Sequence, residues 1–198
     1  MKAAVGLRVH SGWAAAVVVG GSVESPRVLD RRRLILADEA KLAGSKQPYH
    51  AAEDHELSEA SRMIARYVAD AESRARESLG GMLDAAEAAG HRVGRGALLL
   101  ASGRPLPGLA QVLASHAIIH TADGVHFRDA LAAAAKHLSL KLTRVKERDV
   151  EALAAEAGGV SVEALKSRIA DLGKELGPPW TQDQKLAALA GLLALAAR

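Results

Sequence analysis

Short apolar runs separated by glycine and polar residues open the chain. Residues 3–9 and 13–19 are rich in valine and alanine, and the Ser11-Gly12 dipeptide between them is typical of a tight hairpin turn. After a second turn at Gly20-Gly21-Ser22, residues 27–36 alternate well enough for a third strand with one polar face. Three successive strands joined by turns predict an antiparallel meander.

The middle of the chain changes to helical spacing. Residues 38–54 have no regular pattern and predict a loop, whereas apolar residues three and four apart over 56–89 predict a long helix. Two short apolar runs follow, at 96–101 and 117–121, each typical of a buried parallel strand. Between them a short helix is predicted at 109–115.

The last third is predominantly helical. A helix is predicted from Asp123 or Gly124 to about Leu138, followed by a final strand over 140–145. Further helices are predicted at about 149–157, 161–176 and 181–197, the last preceded by a capping-box pattern. We therefore expect an α/β core over residues 1–148 and a C-terminal helical extension, residues 149–198, packed on that core.

This order of elements predicts one α/β fold. A β-meander followed by right-handed α/β crossovers gives a mixed sheet with helices on both faces. Over about residues 3–138 the order resembles the ribonuclease-H-like superfold. That group includes nucleases and resolvases, the actin and sugar-kinase ATPases, and the middle domain of eukaryotic-type peptide-chain release factors.

The resemblance carries an expectation about metal chemistry that this chain does not meet. In the nucleases of the group, the first strand carries an aspartate that holds catalytic metal, but residues 5–10 contain no acid. The ATPase members also have an acid in this hairpin, and Arg8 stands in its place here. The first strand after the long helix, ending at 99–102, also lacks an acid. Because two-metal phosphodiester chemistry needs carboxylate ligands, the sequence disfavours a nuclease of this type.

Composition excludes further kinds of catalytic site and a membrane-spanning segment. The chain has no cysteine, which excludes thiolate nucleophiles, disulfides and cysteine metal sites. The longest apolar run, 186–197, is too short to span a bilayer, which takes about 20 residues. With no signal-peptide pattern before Arg8, we expect a soluble cytoplasmic protein with no membrane partner.

Charge is unevenly distributed along the chain. Basic residues outnumber acidic ones six to two in residues 1–36 and nine to three in residues 91–148, the blocks that hold most predicted strands. The two other blocks are net acidic and mostly helical. If the basic blocks join one sheet, they give it a positive face. The alternative is that these side chains only keep strand edges soluble.

The first candidate site is the predicted hairpin. Arg8 and His10 point to the same face of a strand, and with the Ser11 hydroxyl they suit an anion. A plain hairpin turn with a half-exposed His10 is the alternative. An arginine run, Arg31-Arg32-Arg33, follows on the third strand and suits either phosphate contacts or a solvated edge.

The second candidate site combines two segments that follow predicted buried strands. Ser102 and Arg104 come after the first of them, and His120 and Thr121 come at the end of the second. Ligands of open α/β sheets bind outside the carboxyl ends of the strands, where helix N-termini also favour anions. Loop and helix-cap chemistry is the alternative.

The predicted function is binding of a phosphate-containing ligand, a nucleotide or RNA, at the carboxyl ends of the strands. The alternatives are a hydrolase with His10 or His120 as general base, and a structural homo-oligomer formed through the C-terminal helix. No cofactor is predicted. No metal site is predicted either, because His116 and His120 flank a predicted strand and their spacing is then not diagnostic.

Overall fold

The three N-terminal strands form the predicted meander. In the computed structural model, which describes residues 1–101 and 105–197, they are β1 (Lys2–His10), β2 (Trp13–Gly21) and β3 (Pro26–Ile35). Both pairs are antiparallel, with His10 opposite Trp13 at the first turn. Gly12 in that turn has φ +78°, a conformation that favours glycine.

Two parallel strands complete a mixed five-stranded sheet. β4 (Arg92–Leu100) pairs with β1, and β5 (Lys141–Lys146) pairs with β4, giving the order β3-β2-β1-β4-β5. The carboxyl ends of β1, β4 and β5 therefore lie along the same edge of the sheet. This arrangement confirms the predicted α/β fold class.

Seven helices are described, and a short 3-10 turn at Glu147–Asp149 follows β5. They are α1 (Pro48–Ala51), α2 (Leu57–Ala88), α3 (Leu109–Leu113), α4 (His116–His137), α5 (Val150–Gly158), α6 (Val162–Leu176) and α7 (Gln182–Ala196). Among the described residues, no helix is both long enough and apolar enough to cross a membrane.

The strand predicted at 117–121 is wrong, because these residues form the first turns of α4. The Thr121 hydroxyl donates to the carbonyl of Ala117 one turn earlier, at 3.2 Å. Ile119 is buried against Val112 of α3, so the apolar run reflects helix packing rather than a strand. α4 also buries residues on several sides, which removes the periodicity that would have identified it.

Each face of the sheet has its own helical layer. α2 and α4 cover the face that carries Val5 and Leu7. α7, with α5 and α6 beside it, covers the opposite face, packing on Val17, Val19 and Leu99. α7 therefore does not lie on the same side of the sheet as the long helix α2.

The contact between α7 and β1 is unusually close. A Cβ built on Gly6 of β1 would lie 1.7 Å from the carbonyl oxygen of Ala187, and one on Gly191 would lie 2.8 Å from Val19 Cγ2. Both positions therefore require glycine. This close approach brings the N-terminus of α7 beside the end of β1, where Arg8 lies.

The leucines of α7 are used within the single chain. Leu186, Leu189 and Leu192 are buried in the layer against the sheet. As the chain is folded, these three side chains have no part in a subunit interface. The predicted homo-oligomer through the C-terminal helix otherwise stays a prediction.

The segment before α7 is anchored by Arg31 of β3 and by its own Trp180, which bonds to α6. Arg31 donates to the carbonyls of Leu176 and Gly177, at 2.8 and 2.9 Å. The indole nitrogen of the partly buried Trp180 donates to the carbonyl of Ile169 at 2.7 Å. Arg31 is therefore used in anchoring this segment, and phosphate contact through it would compete with these bonds.

Candidate phosphate-binding crevice

A crevice opens where β1, β4 and β5 end. Its volume is about 640 Å³, and we call it the strand-end crevice. Four of its lining residues are arginine or lysine and two are glutamate. The lining residues are Arg8, Val9, His10, Leu100, Ala101, Arg128, Lys146, Glu147, Arg148, Glu151, Gln182 and Leu186.

Arg8 projects from β1 into an acidic pair. Its guanidinium makes two 2.9 Å hydrogen bonds to the Glu147 carboxylate, from Nε and from Nη2. Nη1 also donates to Asp183 at the start of α7. The bond to Glu147 is the main cause of the raised pKa of Arg8. Its positive charge is thus balanced within the protein.

His10 lies beside the same acid. Its Nε2 is 2.9 Å from Asp183 Oδ1 and 3.0 Å from Arg8 Nη1. The imidazole stacks on Trp13, its neighbour across the hairpin, with ring centres 4.3 Å apart, and the Arg33 guanidinium lies 4.0 Å from the centre of that indole. Arg8 and His10 therefore share a face of β1, as the alternation predicts.

Arg128 is a half-buried crevice cation with no hydrogen bond or ion pair to the residues that the structure describes. It projects from α4, and its Nε is buried without a hydrogen bond to any described residue. Burial lowers the pKa of the guanidinium, and Arg8 lowers it further, against the opposing effect of Glu147. A guanidinium held in this way gains most from an anion that brings both charge and hydrogen-bond acceptors.

Three of the predicted site residues lie at or beside the crevice, and two lie outside the described residues. Arg8 and His10 line the crevice, and Ser11 is exposed in the adjacent hairpin turn. Ser102 and Arg104 lie outside the described residues, although Ala101, just before them, lines the crevice.

His120 and Thr121 do not follow a strand at this edge of the sheet. They lie in the first turns of α4, and His120 contacts His50 and His116 rather than His10. Their predicted position at a strand end was wrong, because that strand does not form, and ligand binding by His120 and Thr121 stays a prediction.

Sequence reasoning missed several residues of the crevice. No local pattern identifies Glu147, which lines the crevice, or Asp183, which binds Arg8 beside it, although Asp183 stands inside the capping box at the start of α7. Arg128 had one available signal, which is its position as the one lysine or arginine between residues 105 and 135 of the sequence. Lys146 and Arg148 stand at the end of the predicted last strand, where the carboxyl-end rule would have included them.

No family model and no curated protein matches the sequence. Solved structures do match the fold. One is described as "T. thermophilus RuvC in complex with Holliday junction substrate", with a TM-score of 0.54 at 11% identity over 98% of this chain and 92% of that chain. Another, "Thermus thermophilus RuvC structure", has a TM-score of 0.50 at 11% identity over 96% and 91%. The likeness agrees with the strand order and helical layers, and the chain has a ribonuclease-H-like fold.

Proposed function

We propose that the protein binds nucleic acid through phosphates held at the strand-end crevice. The observation that carries this proposal is Arg128, a half-buried guanidinium with no partner in residues 1–101 and 105–197, beside the exposed cations Lys146 and Arg148. Supporting it, a solved structure of the same fold is described in complex with a Holliday junction. Spaced cations along one edge suit a polynucleotide backbone better than a single nucleotide.

The chemistry of Arg8 favours binding over metal-dependent cleavage at this crevice. Its guanidinium occupies oxygens of both Glu147 and Asp183, the type of ligand that would otherwise hold a divalent cation. A cation entering there would have to displace Arg8 from both carboxylates. In this proposal Arg8, on the strand where the nucleases of this group carry an acid, neutralises Glu147 and Asp183 and keeps them from holding a metal ion.

Fluorescence anisotropy tests the proposal. A labelled four-way DNA junction, a linear duplex and a single-stranded RNA are titrated with the protein at low salt. Arg128→Gln removes a buried charged contact, and such hydrogen bonds contribute about 1.5–3 kcal/mol, so affinity should fall roughly tenfold or more. Arg62→Gln, an exposed arginine on α2, is the matched control and should change affinity little.

Two outcomes would overturn the proposal. One is the absence of binding to all three probes. The other is an equal loss of affinity in Arg128→Gln and Arg62→Gln, which would mean that binding follows net charge rather than the crevice. Tight binding of free nucleotide without binding of any polynucleotide would assign the crevice to a nucleotide instead.

A hydrolase remains the second candidate because of one contact. The 2.9 Å bond between His10 and Asp183 resembles a base oriented by an acid. Incubating the same labelled probes with the protein and resolving the products on a denaturing gel tests this. Cleavage that disappears in His10→Gln would support a hydrolase, and intact probes would leave binding as the function.

A further inference from the structure

Three histidines converge away from the strand-end crevice. His116 and His120 stand one turn apart on α4, and His50 reaches them from α1. One nitrogen from each ring forms a set in which all three atoms lie within 4.8 Å of one another. The three rings meet edge to face, with centres 4.5–5.1 Å apart.

The outer contacts select the nitrogen that faces the centre of this cluster. His50 Nδ1 donates to Asp123 Oδ2 at 2.5 Å, and the same carboxylate accepts the Tyr49 backbone N–H at 2.8 Å. Asp123 is buried, so its position is fixed. On the other side of the cluster, His116 Nδ1 lies 3.6 Å from Glu53. In both rings Nδ1 has the carboxylate partner, so Nε2 is the nitrogen available to the cluster.

The spacing of the nitrogens matches that of metal ligands. His116 Nε2 and His120 Nε2 are 3.2 Å apart. Two Zn–N bonds of 2.0–2.1 Å at a tetrahedral angle place their nitrogens roughly 3.3 Å apart. Two histidines four residues apart on a helix, with a third from a neighbouring element, supply three neutral nitrogen ligands to one point.

We propose that His50, His116 and His120 bind one zinc-type divalent transition-metal ion through Nε2, with Asp123 and Glu53 orienting the rings. A carboxylate that receives the other ring N–H of a metal-binding histidine is the usual outer partner in such sites. Imidazole nitrogen selects zinc, cobalt, nickel or copper over magnesium and calcium.

The site is separate from the strand-end crevice and has an open side. His120 precedes Arg128 by eight residues of α4, about 12 Å along the helix at 1.5 Å per residue. His116 and His120 are exposed, whereas His50 is half-buried. Three protein ligands with solvent on one side leave a fourth position for water or another small ligand.

Metal binding is measured directly on the full-length protein. After treatment with a chelator, the protein is titrated with Co²⁺ and followed by visible absorption, then with Zn²⁺ against a chromophoric chelator. We expect one equivalent of metal, the visible bands of tetrahedral cobalt, and a higher melting temperature with Zn²⁺. His116→Ala and His120→Ala alter exposed side chains and should each abolish stoichiometric binding.

Asp123 and a control histidine distinguish a built site from surface histidines. Asp123→Asn should lower Zn²⁺ affinity 10- to 100-fold while leaving the stoichiometry at one. His137→Ala, an exposed histidine on the same helix, should bind metal like the unmodified protein. Loss of binding in His137→Ala to the same degree as in His120→Ala, or unchanged binding in the His116→Ala, His120→Ala double variant, would overturn the proposal. Absence of binding to the unmodified protein would do the same, with no bearing on nucleic-acid affinity.

Discussion

At the residue scale, a buried imidazole ties stability to pH. His126 lies inside α4 with 6% of its surface exposed, and its Nε2 has no hydrogen-bond partner among the described residues. Its ring meets Phe127 and Tyr49 edge to face. Burial lowers the pKa of His126 to about 4, since protonation would place a charge in an apolar setting.

The direction of the pH effect follows from this shift. An unfolded histidine titrates near 6.5, so between about pH 6.5 and 4 the unfolded chain binds a proton that the folded chain does not. The free energy of unfolding should therefore decrease as pH falls through this window, by up to roughly 3 kcal/mol from His126. Urea unfolding at pH 7.5, 6 and 5 measures it.

His126→Gln isolates this contribution, because glutamine does not titrate. The difference in stability between the unmodified protein and the variant should shrink as pH falls, even though other groups also titrate. Curves that stay parallel from pH 7.5 to 5 would show that His126 has no part in the pH dependence.

At the element scale, the glycine contact between β1 and α7 allows α7 to pack on its face of the sheet. Gly6→Ala would force α7 away from β1, because a Cβ there overlaps the Ala187 carbonyl. Overpacking of this kind costs typically 1–3 kcal/mol, and the rigid backbone partner places Gly6 at about the upper figure. Thermal unfolding should show a markedly lower melting temperature.

Gly94→Ala is the matched control. Gly94 also lies in a strand, β4, but a Cβ built there meets nothing within 4 Å. Its melting temperature should change little. Equal shifts for the two variants would mean that strand conformation, rather than the approach of α7, sets the cost.

The elements differ in how well sequence reasoning finds them. The meander was predictable because its alternation and its Ser11-Gly12 turn are local signals. The start of α4 was not, since Ile118 and Ile119 favour strands intrinsically and their helical state is supported by tertiary packing against α3. Because residues 117–121 were predicted as a strand, His116 and His120 were not placed one turn apart on a helix. The histidine cluster was therefore not predicted.

At the scale of the whole molecule, the strand-end crevice depends on contacts between distant parts of the chain. Arg8 meets Glu147 139 residues later and Asp183 175 residues later. Element order could place Arg8 at the edge of the sheet. It could not show which single carboxylates among many would arrive beside it, because no local pattern distinguishes them.

Electrostatics at this scale predicts the salt dependence of nucleic-acid binding. Among the described residues Arg128 and Lys146 have no ion pair, and Arg148 has only an exposed 3.4 Å pair with Asp149, so all three can contact phosphates. Arg8, by contrast, is held by two carboxylates. About three phosphate contacts give a log–log slope of roughly −2 on single strands, at about −0.7 per contact. Arg128→Gln removes one of these contacts and should therefore reduce the magnitude of the slope by about 0.7. Anisotropy titrations between low and moderate salt measure it, and a flat dependence would contradict phosphate-based binding.

The contact of α7 with Gly6 also constrains the order in which the protein can fold during synthesis. β1 is made first, yet α7, which packs on it, and Asp183, one of the two acids that contact Arg8, are made more than 170 residues later. Until then a nascent sheet would expose Val17, Val19 and Leu99, an apolar surface that promotes aggregation with other chains. Such long-range closure slows folding. The strand-end crevice is thus complete only when α7 has packed on the sheet. A chain that binds through this crevice has therefore finished folding.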